Sequence, residues 1–162
     1  MSFAATFRSL RDFISISILI KQVSQSLNDA RGSTVEYRSL VKELDTLDIV
    51  VLQVSQACHA YLSGSQAHVL GEMASGITGQ LQADIKDLKD HIEKYKSTLG
   101  SDSVSRIRGA IGRLRWLSEK EAFGKFREKF SSHKISLNLV LAVASLNTLR
   151  VNQVQTLAAT NQ

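Results

Sequence analysis

The sequence predicts an all-α domain, a single helical bundle of about five helices with a long C-terminal helix packed at its centre. Three observations carry that expectation. Pro is absent from all 162 residues, where average usage of roughly 5% would supply about eight, so nothing covalent interrupts a long helix. Apolar residues recur at steps of three and four along most of the chain, the period of a helix with a buried face. A hydrophobic fraction of 43% against 22% charged belongs to a folded chain and not to a disordered one. At this length one domain, residues 1–162, buries a core without disulfide or metal support.

The first helix is read from Phe13, Ile16, Ile20, Val23 and Leu27, with Phe7, Leu10, Ile14 and Ile18 as an adjoining stripe. Arg8 and Arg11 ahead of the apolar run 13–20 imitate a signal peptide. The helical period continues past Lys21 to Leu27, so a helix of the folded domain is expected instead. Asn28, Asp29 and Gly32 supply turn chemistry, and Ser33 with Glu36 has the capping-box spacing that opens a second helix. Tyr37, Leu40, Leu44, Leu47, Val51, Val54, Cys58 and Tyr61 give that helix a heptad, and it is expected to pair antiparallel with the first. Ser63, Gly64 and Ser65 end or kink it.

From Gln66 to Gly79 a weak helical connection is expected, because Gly71, Gly76 and Gly79 each cost about 1 kcal/mol against Ala in a helix interior. A third helix carries Ile77, Leu81, Ile85, Leu88, Ile92, Tyr95 and Leu99 inward and stops at Gly100. Asp102 or Ser103 caps a short fourth helix with Val104, Ile107, Ala110, Ile111 and Leu114 inward and Trp116 near its end. Ser118 and Glu121 repeat the capping-box spacing and begin the fifth. It holds Phe123, Phe126, Phe130, Leu137, Val140, Leu141 and Ala144 on one row and Ile135, Leu139 and Leu146 on another, so it is expected to be buried between neighbours. From Asn152 to Gln162 the tail turns polar and small, still helix-compatible but fraying. The expected core comprises Leu40, Leu44, Leu47, Val51, Val54, Leu88, Trp116, Phe126, Phe130, Leu137 and Leu141.

Catalysis finds no support in these residues. The glycines lack the order of a phosphate loop. His59, His68, His91 and His133 are scattered, and one cysteine, Cys58, gives no zinc spacing and excludes a disulfide framework. A non-enzyme with no cofactor and no metal is expected, in a reducing, cytoplasmic compartment. No stretch reaches the roughly 18 uncharged apolar residues of a membrane span, so the domain is not expected to sit permanently in a bilayer.

A formal charge of +5 and a pI near 9.5 favour acidic partners. The basic side of the fourth helix, Arg106, Arg108, Arg113 and Arg115, together with Arg8 and Arg11, is the candidate surface for anionic headgroups. Glu119, Glu121 and Glu128 dilute the charge, and no exposed aromatic array offers base stacking, so nucleic acid is the least favoured partner. A solvated, salt-bridged face is the simpler account of these arginines. Ala67, Gly71, Ser75 and Gly79 form a small-residue series, for which a closely packed connection is the simpler account. The sharper feature is the first helix: Phe3, Phe7, Leu10, Phe13, Ile14, Ile16, Ile18, Leu19 and Ile20 gather bulky apolar groups in a terminal helix, where release from a bundle is topologically easy and the apolar face could insert into lipid; a helix packed simply as core is the simpler account.

The layout resembles the fungal HeLo-like N-terminal domains that precede NACHT or related nucleotide-binding modules in NOD-like (STAND) proteins. The residues that carry the resemblance are the opening helix from Arg11 to Leu27, Tyr37-Arg-Ser-Leu40 to Val54, and Asp90-His-Ile-Glu-Lys-Tyr95. The most distinctive are Arg113-Leu-Arg-Trp116, Lys125-Phe-Arg-Glu-Lys129 and His133-Lys-Ile-Ser-Leu-Asn-Leu139, and the likeness spans roughly residues 7–150. It implies a bundle that acts as a membrane-targeting cell-death effector or signalling module in non-self recognition. In that family the N-terminal helix leaves the bundle and enters the plasma membrane after oligomerisation, a role that falls here on Phe3 to Ile20. The implied partners are anionic lipid, further copies of the domain, and a receptor or amyloid-signalling partner. The sequence departs from the family in carrying no nucleotide-binding module and no amyloid-type motif in its tail. The alternatives are a helical adaptor without membrane activity and, third, a basic nucleic-acid-binding module.

Overall fold

The computed structural model describes residues 3–28, 35–60, 67–99 and 108–160, with side chains described for 11–28, 35–59, 70–94 and 120–160. All four segments are helical, and no strand occurs among the described residues. They are α1 (Phe3–Asn28), α2 (Val35–Ala60), α3 (Ala67–Leu99) and α4 (Arg108–Thr160). Tyr61, Gly100, Ser103 and the Asn28-to-Ser33 and Ser63-to-Ser65 turns, apart from Asn28 itself, lie outside the described residues.

Helices α1 and α2 pack as one hairpin and α3 and α4 as a second; the hairpins then join through α1 on α3 and α2 on α4. Cross-helix pairs set the directions. Glu36 meets Lys120 and Glu43 meets Lys134, so α2 and α4 run parallel. Lys21 meets Asp48 across α1 and α2, and Asp84 meets Lys129 and His133 across α3 and α4. With short links between successive helices, each hairpin is antiparallel. Around the bundle the order is therefore α1, α2, α4, α3. Among the described residues, α2 and α3 touch little across one diagonal and α1 and α4 do not touch across the other.

That order corrects two expectations. The helix holding Ser118 occupies one corner of a four-helix bundle and not its centre, because it contacts α2 and α3 but not α1. The expected fourth and fifth helices are one 53-residue helix. A Ser-x-x-Glu spacing starts a helix only where the preceding chain leaves helical geometry. Here no Gly or Pro separates Leu114 from Ser118, and the Glu121 carboxylate pairs with Lys125 at 2.8 Å, one turn ahead.

The weak connection over 66–79 is also helix: α3 begins at Ala67 and runs through all three glycines. Leu70, Ala74, Thr78, Leu81, Ile85, Leu88 and Ile92 keep a three-and-four spacing across them, and every one is buried. Burial of this face outweighs the glycine cost, as tertiary packing commonly overrides propensity.

The core is a single cluster. From α1 come Phe13, Ile16, Ile20, Val23 and Leu27; from α2, Tyr37, Leu40, Leu44, Leu47, Val51, Val54 and Cys58. From α4 come Phe123, Phe130, Leu137, Val140 and Ala144. Of the expected core, Phe126 and Leu141 are only half-buried against this cluster, and the Trp116 side chain lies outside those described. Burial pushes the Cys58 thiol above its ordinary value, which suits a packed hydrophobe and not a nucleophile.

Candidate interaction surfaces

The apolar length of α1 divides into two faces. Phe13, Ile16 and Ile20 are fully buried and Leu19 is half-buried, whereas Ile14 and Ile18 are 56% and 53% exposed. One apolar face thus binds the bundle and a second meets solvent. The side chains of Phe3, Phe7, Arg8 and Leu10 lie outside those described; Arg11 is exposed.

The seam between α1 and its neighbours is not uniformly apolar. Ser17 and Ser24, one heptad apart, are buried, and Asp48 faces Lys21 at 3.7 Å. The Ser24 Oγ and the Asp48 Oδ1 are buried without a hydrogen-bond partner. Each such atom costs roughly 1–3 kcal/mol of desolvation.

The described basic residues of α4 are largely occupied. Lys120 meets Glu36 at 3.7 Å, Lys125 meets Glu121, Lys129 meets Asp84 at 2.5 Å, and Lys134 meets Glu43. Lys129 also sits 5.9 Å above the Phe126 ring. Of the expected headgroup arginines, Arg106 and the side chains of Arg108, Arg113 and Arg115 lie outside the described residues.

The densest polar contact joins α3 to α4. Asp84 Oδ2 lies 2.8 Å from His133 Nε2, while Lys129 Nζ donates to Asp84 Oδ1. Burial alone raises the Asp84 carboxyl, but hydrogen bonds from His133 and Lys129, with their charges, outweigh it and hold the group below the usual carboxylate range. The same bond holds Lys129 above its ordinary value. This cluster is a tether. Beside it Phe123 packs against Tyr37 of α2 at 5.1 Å and against His91 of α3 at 5.9 Å, so one ring of α4 bridges both neighbours. No three His, Cys, Asp or Glu side chains gather as a metal site among the described residues.

Sequence reasoning misplaced the outer row of α4. Ile135, Leu139 and Leu146 were expected inside, yet they are 69%, 58% and 65% exposed. Leu149, Val151, Val154 and Leu157 are exposed as well, and α4 continues to Thr160 through the tail read as helix-compatible. Beyond Ala144 no residue of α4 is buried. Lys120–Thr160 is long and apolar enough to cross a membrane by length and composition. The expectation that no stretch would qualify asked for an unbroken apolar run, whereas the polar residues here are mostly uncharged and spread among the apolar ones. The core helix of a soluble protein can be as long and as apolar; of the most apolar 18 residues here, 17% are buried. The small-residue series is not the closely packed connection expected: a Cβ at Gly71 or Gly79 would meet nothing within 4 Å, and Ser75 and Gly79 are exposed.

No family model matches the chain, and no curated protein or solved structure is significantly similar to it.

Proposed function

We propose that this chain is a HeLo-like signalling or cell-death effector module of fungal non-self recognition, latent as a cytoplasmic bundle and recruited to the plasma membrane when α1 is released to anionic lipid. The observation that carries this reading is the two-faced α1. Its inner face, Phe13, Ile16 and Ile20, is apolar enough to exchange the bundle for acyl chains, and Ile14 and Ile18 already offer the opposite side. The partnerless Ser24 and Asp48 oxygens favour release, because leaving the bundle rehydrates both. The resemblance of residues 7–150 to the HeLo-like domains supports the same reading.

Dye release from vesicles with and without anionic lipid tests it. The wild-type chain is compared with Ile14→Asp and Ile18→Asp, which alter exposed positions and leave the folded bundle intact by circular dichroism. Leakage that needs anionic lipid and is lost in both variants is expected. Equal leakage by the folded variants, or none from the wild type at any lipid composition, refutes the role of α1.

A second reading, a helical adaptor without membrane activity, is favoured by the exposed apolar row of α4. A nucleic-acid-binding module draws the least support, since Lys120, Lys125, Lys129 and Lys134 already face carboxylates.

A further inference from the structure

The outer row of α4 has the geometry of a seam. Ile135, Leu139, Ala142, Leu146 and Leu149 step by four and three, and each is exposed. This is the spacing with which one helix packs along another. The row lies opposite the core residues Leu137, Val140 and Ala144, so the bundle cannot cover it. Past Ala144 the helix continues for 16 residues, about 24 Å, none of them buried. A helical segment with so little buried surface gains stability from a further packing partner.

We propose that this seam pairs antiparallel with the same seam of a second copy of the chain. Area supports it: Ile135, Leu139, Leu146, Leu149 and Leu157 are 58–69% exposed. At on the order of 100 Å² each they offer roughly 500 Å² per copy and about 1,000 Å² across a pair, the size from which specific interfaces begin. Self-complementarity supports it as well. With the two-fold axis near position 144, small Ala142 of one copy lies opposite Leu146 of the other, and Leu139 lies opposite Leu149. Each projecting tail then rests along the bundle-supported part of the other α4. Between Ile135 and Thr160 the only charge is Arg150, so nothing repels the pair. The same scarcity disfavours an anionic surface as the occupant, since helices that lie on such lipid carry Lys and Arg along their flanks, and Asn138, Asn152 and Thr156 stand there instead.

Sedimentation of the full chain tests the pairing independently of any membrane role. The wild type is expected to be a dimer at about 50 µM, and Leu146→Glu and Leu149→Glu, both at exposed positions, to weaken dimerisation by at least about tenfold with unchanged helicity. Ile14→Asp, which tests the membrane reading, is expected to remain dimeric, so the two readings fail separately. A monomeric wild type overturns the pairing, whether or not it floats with vesicles. A dimer that persists in both glutamate variants overturns it too.

Discussion

Three glycines inside α3 allow a stability prediction worked from geometry. Gly71, Gly76 and Gly79 stand in the interior of a 33-residue helix, and a Cβ at any of them would meet nothing within 4 Å. Alanine therefore introduces no clash and makes no new contact; its effect is confined to the backbone entropy of the unfolded chain and to helix propensity, about 1 kcal/mol per site. Gly71, four residues into α3, contributes least, because helix ends fray. The triple replacement should stabilise the fold by roughly 2–3 kcal/mol. For a domain of this size 1 kcal/mol moves Tm by about 2–4 °C, so a rise of about 4–12 °C is expected. Thermal melts followed by circular dichroism measure it, with urea midpoints as a check. A triple variant that melts at or below the wild-type temperature would refute the reasoning, and would mean that the glycines serve a conformation other than the bundle.

Other outcomes follow from the packing. Phe130→Ala, at a fully buried site, should cost about 3–5 kcal/mol in urea unfolding. Ser24→Ala removes a buried hydroxyl with no partner and should stabilise by up to about 1 kcal/mol; if α1 release causes leakage, the same variant should leak more slowly. Asp84→Asn should destabilise by about 1–2 kcal/mol near neutral pH. Because the folded Asp84 carboxyl titrates below its unfolded value, its contribution is complete above about pH 4 and is lost as pH falls through the lower folded value. The gap in urea midpoint between wild type and Asp84→Asn should therefore close on acidification, and a gap that widens would contradict the sign.

Much of the fold was legible because buried faces leave a period in the sequence. Phe13, Ile16 and Ile20 in α1 and Leu40 through Val54 in α2 were placed inside from spacing alone, and all are buried. Helix boundaries were harder. Ser118 with Glu121 carries the same local signal as Ser33 with Glu36, and only the surrounding chain decides whether a helix starts there or runs through. The second row of α4 failed for another reason. Periodicity states that a face is apolar, but not whether this chain supplies its cover, and Ile135, Leu139 and Leu146 need a neighbour that none of α1, α2 or α3 provides. The candidate membrane helix was visible as a composition, while its division into a packed side and a wet side at Ile14 and Ile18 required the bundle. The Asp84–His133–Lys129 tether spans 49 residues of chain at its widest, a separation at which spacing carries no signal.

The diagonal placement of α1 and α4 has a kinetic meaning. Because the two share no contact among the described residues, α1 can depart while α4 keeps both of its neighbours. What remains is the seat between α2 and α3, which barely touch each other. The α1 of another copy matches that seat as well as the chain's own does. Each departure thus leaves a vacancy and a free helix at once, so two such molecules could trade helices, at a rate that rises with concentration.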